Sequence, residues 1–371
     1  MSIDPALGLV YLPYGSPTYD FYGGDRKGAG LYGNSLVALD AMTGKVKWYF
    51  QAIHHDTWDY DFEAAPVLFD VVRNGTRIPA VGEVSKQGMV YILDRRDGKP
   101  IFGMEDRPVP QSDVPGEFSW PTEPFPVKPA PVARQSFKPA DIAKVTPAQE
   151  KVCTDMLATE GGMHNDGPFT RYGTTLSIVF PGTLGASNWH GASVDPSLGY
   201  LFMNVIHLAD VGKMVKAAEG SPLAYTRTSP WGGFARFWNG DKYWPCQAPP
   251  WGEMLAINVN TGDLAWKVPL GVIEELDAVG VHNTGTMNMG GSIATAGGVV
   301  FIAATNDRRM RAFDSKTGKV VWETTLPAGG YASPSTYQGA DGRQYVAIVA
   351  AGGGYYDRVT GDSIVAFAIP K

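Results

Sequence analysis

Between Gln51 and Asp61 the chain sets two histidines (His54, His55), three aspartates (Asp56, Asp59, Asp61) and Trp58 within eleven residues. A turn needs one capping carboxylate, not three. Side chains of this kind at this density can ligate a metal or supply a general base. The competing reading is a loop capped by its aspartates. Lys86 is a second candidate. It heads the apolar run Met89–Leu93, where folding needs no cation; its competing reading is a solvated strand end. A third is Asn188-Trp189-His190-Gly191, just before another apolar run, which also reads as a bulge or turn. No phosphate-binding loop, zinc spacing or G-x-S-x-G elbow occurs.

The elements that must position these residues come from a repeat. Four eleven-residue stretches share an apolar or small start, an Asp or Asn, a Gly four residues later, and an aromatic after three more. They are Ala38–Trp48, Ile92–Phe102, Ala256–Trp266 and Ala312–Trp322. The Asp or Asn caps a turn, Gly takes the positive-φ position, and the aromatic packs from the next strand. Hairpins carrying such a periodic signature indicate radially repeated β-sheets, an all-β propeller of four-stranded antiparallel blades. Ala38 and Ile92 are 54 residues apart and Ala256 and Ala312 are 56 apart, each about one blade. The wider gap between Ile92 and Ala256 requires two insertions, 103–165 and 206–250. Long connections of this kind are usually functional or docking segments.

The expected organisation is a single partial propeller over 1–371, with about five blades: 1–53, 54–105, 166–270, 280–327 and 330–371. A second repeat, Ile3–Leu12 matching Val194–Met203, suggests that the chain starts inside a blade whose first strand is missing. The last blade, with strands near 344–350 and 363–369, lacks its outer strand. Exposed edges invite pairing, so the incomplete ends suggest a fragment of a larger closed propeller, or one half of an assembly that a partner chain or a homo-oligomer completes.

Composition narrows the function. The 371 residues include 45 Gly and 28 Pro, as a turn-rich β protein requires, and the net charge of -6 argues against nucleic acid as partner. No apolar run reaches the roughly 18 residues of a membrane span. The first residues show no secretory leader pattern. Cys153 and Cys246 read equally as a loop-to-loop disulfide or as two free thiols.

Taken together, Val37–Trp48, His54–Asp61, Lys86–Arg95 and Gly185–Trp189 resemble the pyrroloquinoline quinone (PQQ)-dependent dehydrogenases, closest to the membrane-type quinoprotein glucose dehydrogenases. Pro245–Gly252, Gly290–Gly298 and Ala366–Pro370 extend the resemblance over essentially the whole chain. The resemblance implies an eight-bladed propeller with PQQ and Ca²⁺ on its axis. It implies that Asp59 takes the substrate hydroxyl proton while hydride passes to the quinone, and that Lys86 stabilises the charge developing on the quinone oxygens. Asn188, Trp189 and Met289 then fall at cofactor-binding positions, and Asp59 and Ser16 at the calcium site. The substrate is a sugar or alcohol, the electron acceptor ubiquinone or a cytochrome c, and the location periplasmic. Met163–Asp166 and Gly352–Tyr356 fall on loops that set specificity.

The chain departs from this pattern at Ser16, where the family commonly has Asn; Asp20 is a candidate substitute ligand. About three upstream blades are also missing, with their calcium-binding Glu, PQQ-binding Arg and Thr, stacking Trp, vicinal disulfide and membrane anchor. Two further readings follow: an inactive fragment of such a dehydrogenase, or a non-catalytic propeller scaffold built on the same repeat.

Overall fold

The computed structural model describes residues 1–354 and 357–369. The chain divides into two compact units. One comprises Met1–Leu68, Pro79–Asn188 and His207–Ala248; the other comprises Phe69–Ile78, Trp189–Ile206 and the chain from Pro249 onward.

The repeat turns form as their composition dictates. Asp40 accepts hydrogen bonds from the Thr43 amide (2.9 Å) and hydroxyl (2.9 Å), and Gly44 sits at φ +67°. Asp314 repeats this with Thr317 at 2.8 and 2.7 Å, with Gly318 at φ +69°. Two of the repeat turns, at Gly98 and Gly318, also dock the aromatic of the preceding repeat. In the first unit the Trp48 indole donates to the Arg95 carbonyl (3.2 Å) and lies on Gly98, where an added Cβ would come within 2.6 Å of the ring. In the second, Trp266 donates to the Ser315 carbonyl (2.9 Å) and lies on Gly318 with the same 2.6 Å clearance. Glycine is therefore needed at Gly98 and Gly318 for two reasons: backbone conformation and room for indole.

Three sheets have the expected four antiparallel strands. The first is Ser2–Asp4, Leu9–Pro13, Ser35–Asp40 and Val46–Gln51. Its first strand, expected to be missing, is the three residues Ser2–Asp4 paired with Leu9–Tyr11. Another is Ser193–Asp195, Tyr200–Ile206, Gly252–Asn258 and Asp263–Pro269. The next is Ser292–Thr295, Val299–Ile302, Arg309–Asp314 and Val320–Thr325. All three carry a register shift at the repeat's first residue: Ala38, Ala256 and Ala312. The sheet between the first two has three strands, Val67–Arg73, Thr76–Val84 and Val90–Asp94, and its fourth position is reduced to a bridge from Leu93 to Pro100. The last sheet, Ser335–Gln338, Gln344–Gly352 and Thr360–Ala368, has no fourth strand among the described residues.

The blade expected over 166–270 starts later than its sequence suggested. Ser177–Val179 pairs instead with Asp210–Lys216 of the second insertion, which in turn pairs with Tyr225–Thr228. Neither insertion is structureless. The first holds a hairpin, Met104–Pro108 with Thr122–Pro126, and the helix Pro147–Leu157, capped by the Thr146 side chain accepting from the Gln149 amide (3.1 Å). Cys153 on that helix is disulfide-bonded to Cys246, across 93 residues of sequence. Both half-cystines are buried with Phe137, Phe180 and Phe237 in a small core of their own. Among the described residues no helix is long and apolar enough to cross a membrane.

Two stability predictions follow from the turns and the bridge. Gly44→Ala, with nothing within 4 Å of its added Cβ, costs only the left-handed penalty of about 1–2 kcal/mol. Gly98→Ala adds a clash with Trp48 and costs about 2–5 kcal/mol in all; urea unfolding of both variants measures the difference. Reduction of Cys153–Cys246 lowers stability by about 2–5 kcal/mol, read from unfolding curves with and without dithiothreitol.

Candidate functional site

The segment from Asp59 to Glu63 alternates acid and aromatic. Tyr60 and Phe62 are buried in the core of the first unit, 1% and 0% exposed. Asp59, Asp61 and Glu63, which alternate with these two aromatics, all meet one cation. The Lys86 ammonium donates to Asp61 Oδ2 at 2.5 Å and to Asp59 Oδ2 at 3.2 Å, with Glu63 Oε1 at 4.0 Å. Ser16 completes the cluster. Its amide donates to Asp61 Oδ1 (2.6 Å), and its hydroxyl donates to Asp61 Oδ1 (2.9 Å) and Asp59 Oδ1 (3.3 Å). Gly15 must lack a side chain, because a Cβ there would stand 2.6 Å from Asp61 Oδ1.

Lys86 is held from behind by Leu184–Asn188. The Ala186 amide donates to the Lys86 carbonyl (2.7 Å), and Gly185, at φ +72°, leaves room that a Cβ would take from Lys86 Cγ at 2.5 Å. Asn188 closes this segment by donating its amide to the Leu184 carbonyl (2.9 Å). Ser16, Asp59, Lys86 and Asn188 thus belong to one unit. Trp189 and Met289 belong to the other. Trp189 there presents a 46% exposed ring, and the Met289 amide donates to the Ala304 carbonyl (2.8 Å). His190 is buried, and burial pushes its imidazole down to about 4, so it is neutral at pH 7.

The two carboxylates on Lys86 are electrostatically unlike. Burial drives Asp59 up to about 8, against the opposing pull of Lys86. Burial also acts on Asp61, but Lys86 and the Ser16 hydrogen bonds outweigh it and hold Asp61 below the ordinary carboxylate range. Lys86 is shifted up: burial opposes its charge, and Asp59 and Asp61 more than compensate. Asp61 is therefore the carboxyl group that favours its charged form beside Lys86, and Asp59 the one that favours its protonated form. Asp20 is raised by burial and by the charge of Asp61.

The histidines of the dense cluster are engaged by the first insertion. Glu123 Oε2 accepts from the His54 amide (2.9 Å) and lies 3.1 Å from its Nδ1. His55 Nε2 lies 3.0 Å from Glu117 Oε1, and its Nδ1 lies 3.0 Å from the Gly28 carbonyl. Both ring nitrogens of His55 are thus engaged, and His54 is engaged through Nδ1. In the loop expected to set specificity, Asn165 is spent on the backbone of Phe137 (2.9 Å) and Ile178 (2.8 Å). Tyr355 and Tyr356 lie outside the described residues.

The donor set can be tested against the implied cofactors. Ser16 Oγ and one oxygen each of Asp59 and Asp61 converge as hard oxygen donors, the kind Ca²⁺ takes. Asp59, Asp61 and Glu63 place three carboxyl groups within 4.0 Å of the single Lys86 ammonium. The set is partial: among the described residues no group of three His, Cys, Asp or Glu forms a metal cage. A buried ammonium is likewise the right partner for quinone oxygens.

Residues 1–346 match the model of the PQQ glucose/ethanol/alcohol dehydrogenase β-propeller domain. The chain belongs to the PQQ-dependent dehydrogenase family. It is 36% identical over its whole length to the quinate/shikimate dehydrogenase (quinone) of Acinetobacter baylyi, covering 48% of that protein. It is 35% identical to the quinoprotein glucose dehydrogenase of Escherichia coli, over 99% of this chain and 48% of the relative. Among solved structures it is similar to the quinohemoprotein alcohol dehydrogenase of Comamonas testosteroni, with TM-score 0.66 and 25% identity over 99% of this chain and 47% of that one. The chain thus spans about half the length of these relatives. Its fold is the β-propeller of PQQ dehydrogenases, and PQQ is the cofactor of the family.

The inverted Asp59 has a pH consequence. A carboxyl whose folded value is raised from 3.8 to about 8 binds its proton more tightly in the folded chain. Its contribution therefore favours folding at low pH and is lost as pH climbs from about 4 to about 8. In the metal-free protein, Asp59→Asn flattens that decline and Lys86→Met steepens it by removing the counter-ion. Urea unfolding at pH 5 and pH 9 checks both directions.

Proposed function

We infer that this chain contributes the catalytic base and the quinone-facing cation of a PQQ- and Ca²⁺-dependent dehydrogenase that oxidises a hydroxyl group of a sugar or alcohol. The observation that carries the reading is the Lys86 ammonium held between Asp59 and Asp61. Bound PQQ supplies the hydride acceptor. Asp59, elevated and close to neutral pKa, accepts the hydroxyl proton as hydride leaves the same carbon, so the substrate becomes a carbonyl compound. Lys86 stabilises negative charge on the quinone oxygens. Asp61 keeps Lys86 protonated and in place, and Ser16 orients both carboxylates. Asn188 supports Lys86 from the adjoining segment, while Trp189 and Met289 stand as cofactor-packing candidates.

The names of the relatives support polyhydroxylated substrates: quinate and shikimate, glucose, and glycerol. The word quinone in the first of them supports ubiquinone as acceptor over a cytochrome c. Periplasmic location accords with this family reading. The three-stranded last sheet favours a strand from a further segment or a second copy of the chain along Thr360–Ala368.

A second reading, an inactive portion of such an enzyme, is favoured by the partial donor set and the half-length coverage of relatives. A scaffold without chemistry does not account for the buried Lys86 and its carboxylates.

Dye reduction by the purified chain with PQQ and Ca²⁺, on glucose, quinate and glycerol, tests the base. The expected outcome is turnover that Asp59→Asn lowers by about 10²–10⁴-fold with an unchanged fold, since Asn tolerates the φ of +64° found at residue 59. Normal turnover in Asp59→Asn removes the base assignment. A wild-type chain that folds and does not turn over supports the second reading.

A further inference from the structure

Asp59 is not a glycine, yet its backbone is left-handed at φ +64°. Something must hold it there. The side chains that do so lie on either side of it and below. Asp56, 1% exposed, accepts from the Trp58 amide through Oδ1 (2.7 Å) and from the Tyr60 amide through Oδ2 (2.9 Å). One carboxylate thus grips the two amides that flank Asp59. Asp56 Oδ2 also accepts from the Asn34 side-chain amide (2.8 Å), and the same amide donates to the Tyr60 carbonyl (2.8 Å). Asn34 is 1% exposed and is itself left-handed, at φ +50°.

The knot reaches the other wall of the site through the backbone. The Asn34 amide donates to the Gly15 carbonyl (2.9 Å), next to Ser16, and the Asn34 carbonyl accepts from the Ala52 amide (2.9 Å), at the start of the loop. The flanking aromatics are pinned as well. The Trp58 indole donates to the Thr170 carbonyl (2.8 Å), and the Tyr60 hydroxyl donates to the Pro181 carbonyl (2.7 Å). The Arg171 guanidinium lies 4.2 Å over the Trp58 ring and donates to Thr57 Oγ1 (2.8 Å). Asp59 itself makes no part of this network, so its carboxylate stays free to face Ser16 and Lys86.

We propose that Asp56 and Asn34 are positioning residues that hold Asp59 in its left-handed conformation and fix the distance between its carboxylate and both Ser16 and Lys86. The inference rests on the reading of Asp59 as the base only for its catalytic consequence. Asp56 satisfies the two amides beside Asp59, and Asn34 ties that carboxylate to the Gly15–Ser16 segment. Removing either side chain frees residue 59 to leave the positive-φ region, which non-glycine residues disfavour.

The test uses the whole chain. Asn34→Gly deletes the amide while keeping a residue that adopts φ +50° without strain. Asp56→Asn, a second variant with near-identical shape, replaces the acceptor facing the Tyr60 amide. NMR backbone shifts and couplings report the conformation at residue 59 without cofactor, and amide exchange reports Trp58 and Tyr60. In the PQQ- and Ca²⁺-loaded protein, kcat and KM are measured separately. The expected result in either folded variant is loss of the left-handed signature at residue 59. Exchange at Trp58 and Tyr60 quickens by at least about tenfold, and kcat falls by at least about tenfold with KM little changed. A folded variant in which residue 59 keeps its positive φ overturns the proposal. So does one in which kcat is unchanged although Asp59→Asn abolishes turnover. If Asp59→Asn turns over normally, the base assignment fails, and the NMR result alone still decides the clamp.

Discussion

One partly buried ammonium organises the candidate site. Lys86 lies between Asp59 and Asp61, 3.2 and 2.5 Å from their carboxyl oxygens, and its charge favours the ionised form of each. Because the contact to Asp61 is shorter and Ser16 reinforces it, the two acids separate in character. Asp61 is held ionised while Asp59 is left near neutrality. Environments that push like groups apart are how one site assigns a counter-ion and a base. The remaining architecture serves this triad: Gly15 and Gly185 are bare where Asp61 and Lys86 need space, and Tyr60 and Phe62 anchor the acidic segment in the core.

The fold supplies rigidity through a device used in both units. A tight turn capped by Asp or Asn exposes a flat glycine face, and an indole from the neighbouring repeat closes over it. The contact is seen at Gly98 in one unit and at Gly318 in the other, and there local sequence and tertiary packing agree. The first insertion is part of the same construction. It sends Glu117 and Glu123 onto His55 and His54, fastening the loop that carries Asp59.

What was legible in the sequence was mainly local or carried by ordered motifs. The repeat turns announced themselves because Asp40, Thr43, Gly44 and Trp48 do their work within a single hairpin and the next. Asp59 and Lys86 were legible through the resemblance, and the structure brings them together with Ser16. Asp61 was in view but given no role, although the alternation of Asp59, Asp61 and Glu63 with Tyr60 and Phe62 was a readable signal. Other features depend on distant partners. The strand Ser2–Asp4 is too short to show a period, and Ser177–Val179 pairs with an insertion strand that no repeat marks. The hydrogen bonds that engage His55 and His54 come from Glu117 and Glu123, more than sixty residues away, which no local pattern marks. The Cys153–Cys246 bridge was open because spacing alone cannot distinguish a disulfide from two thiols.

The measurement that tests the account most directly is titration of PQQ into the purified chain with and without Ca²⁺, followed by absorbance and calorimetry. The account predicts stoichiometric, Ca²⁺-dependent binding that disappears when Lys86 is replaced by Met. A folded chain that binds no PQQ, or binds it equally well without Lys86, would contradict the assignment of this carboxylate–ammonium cluster as the cofactor site.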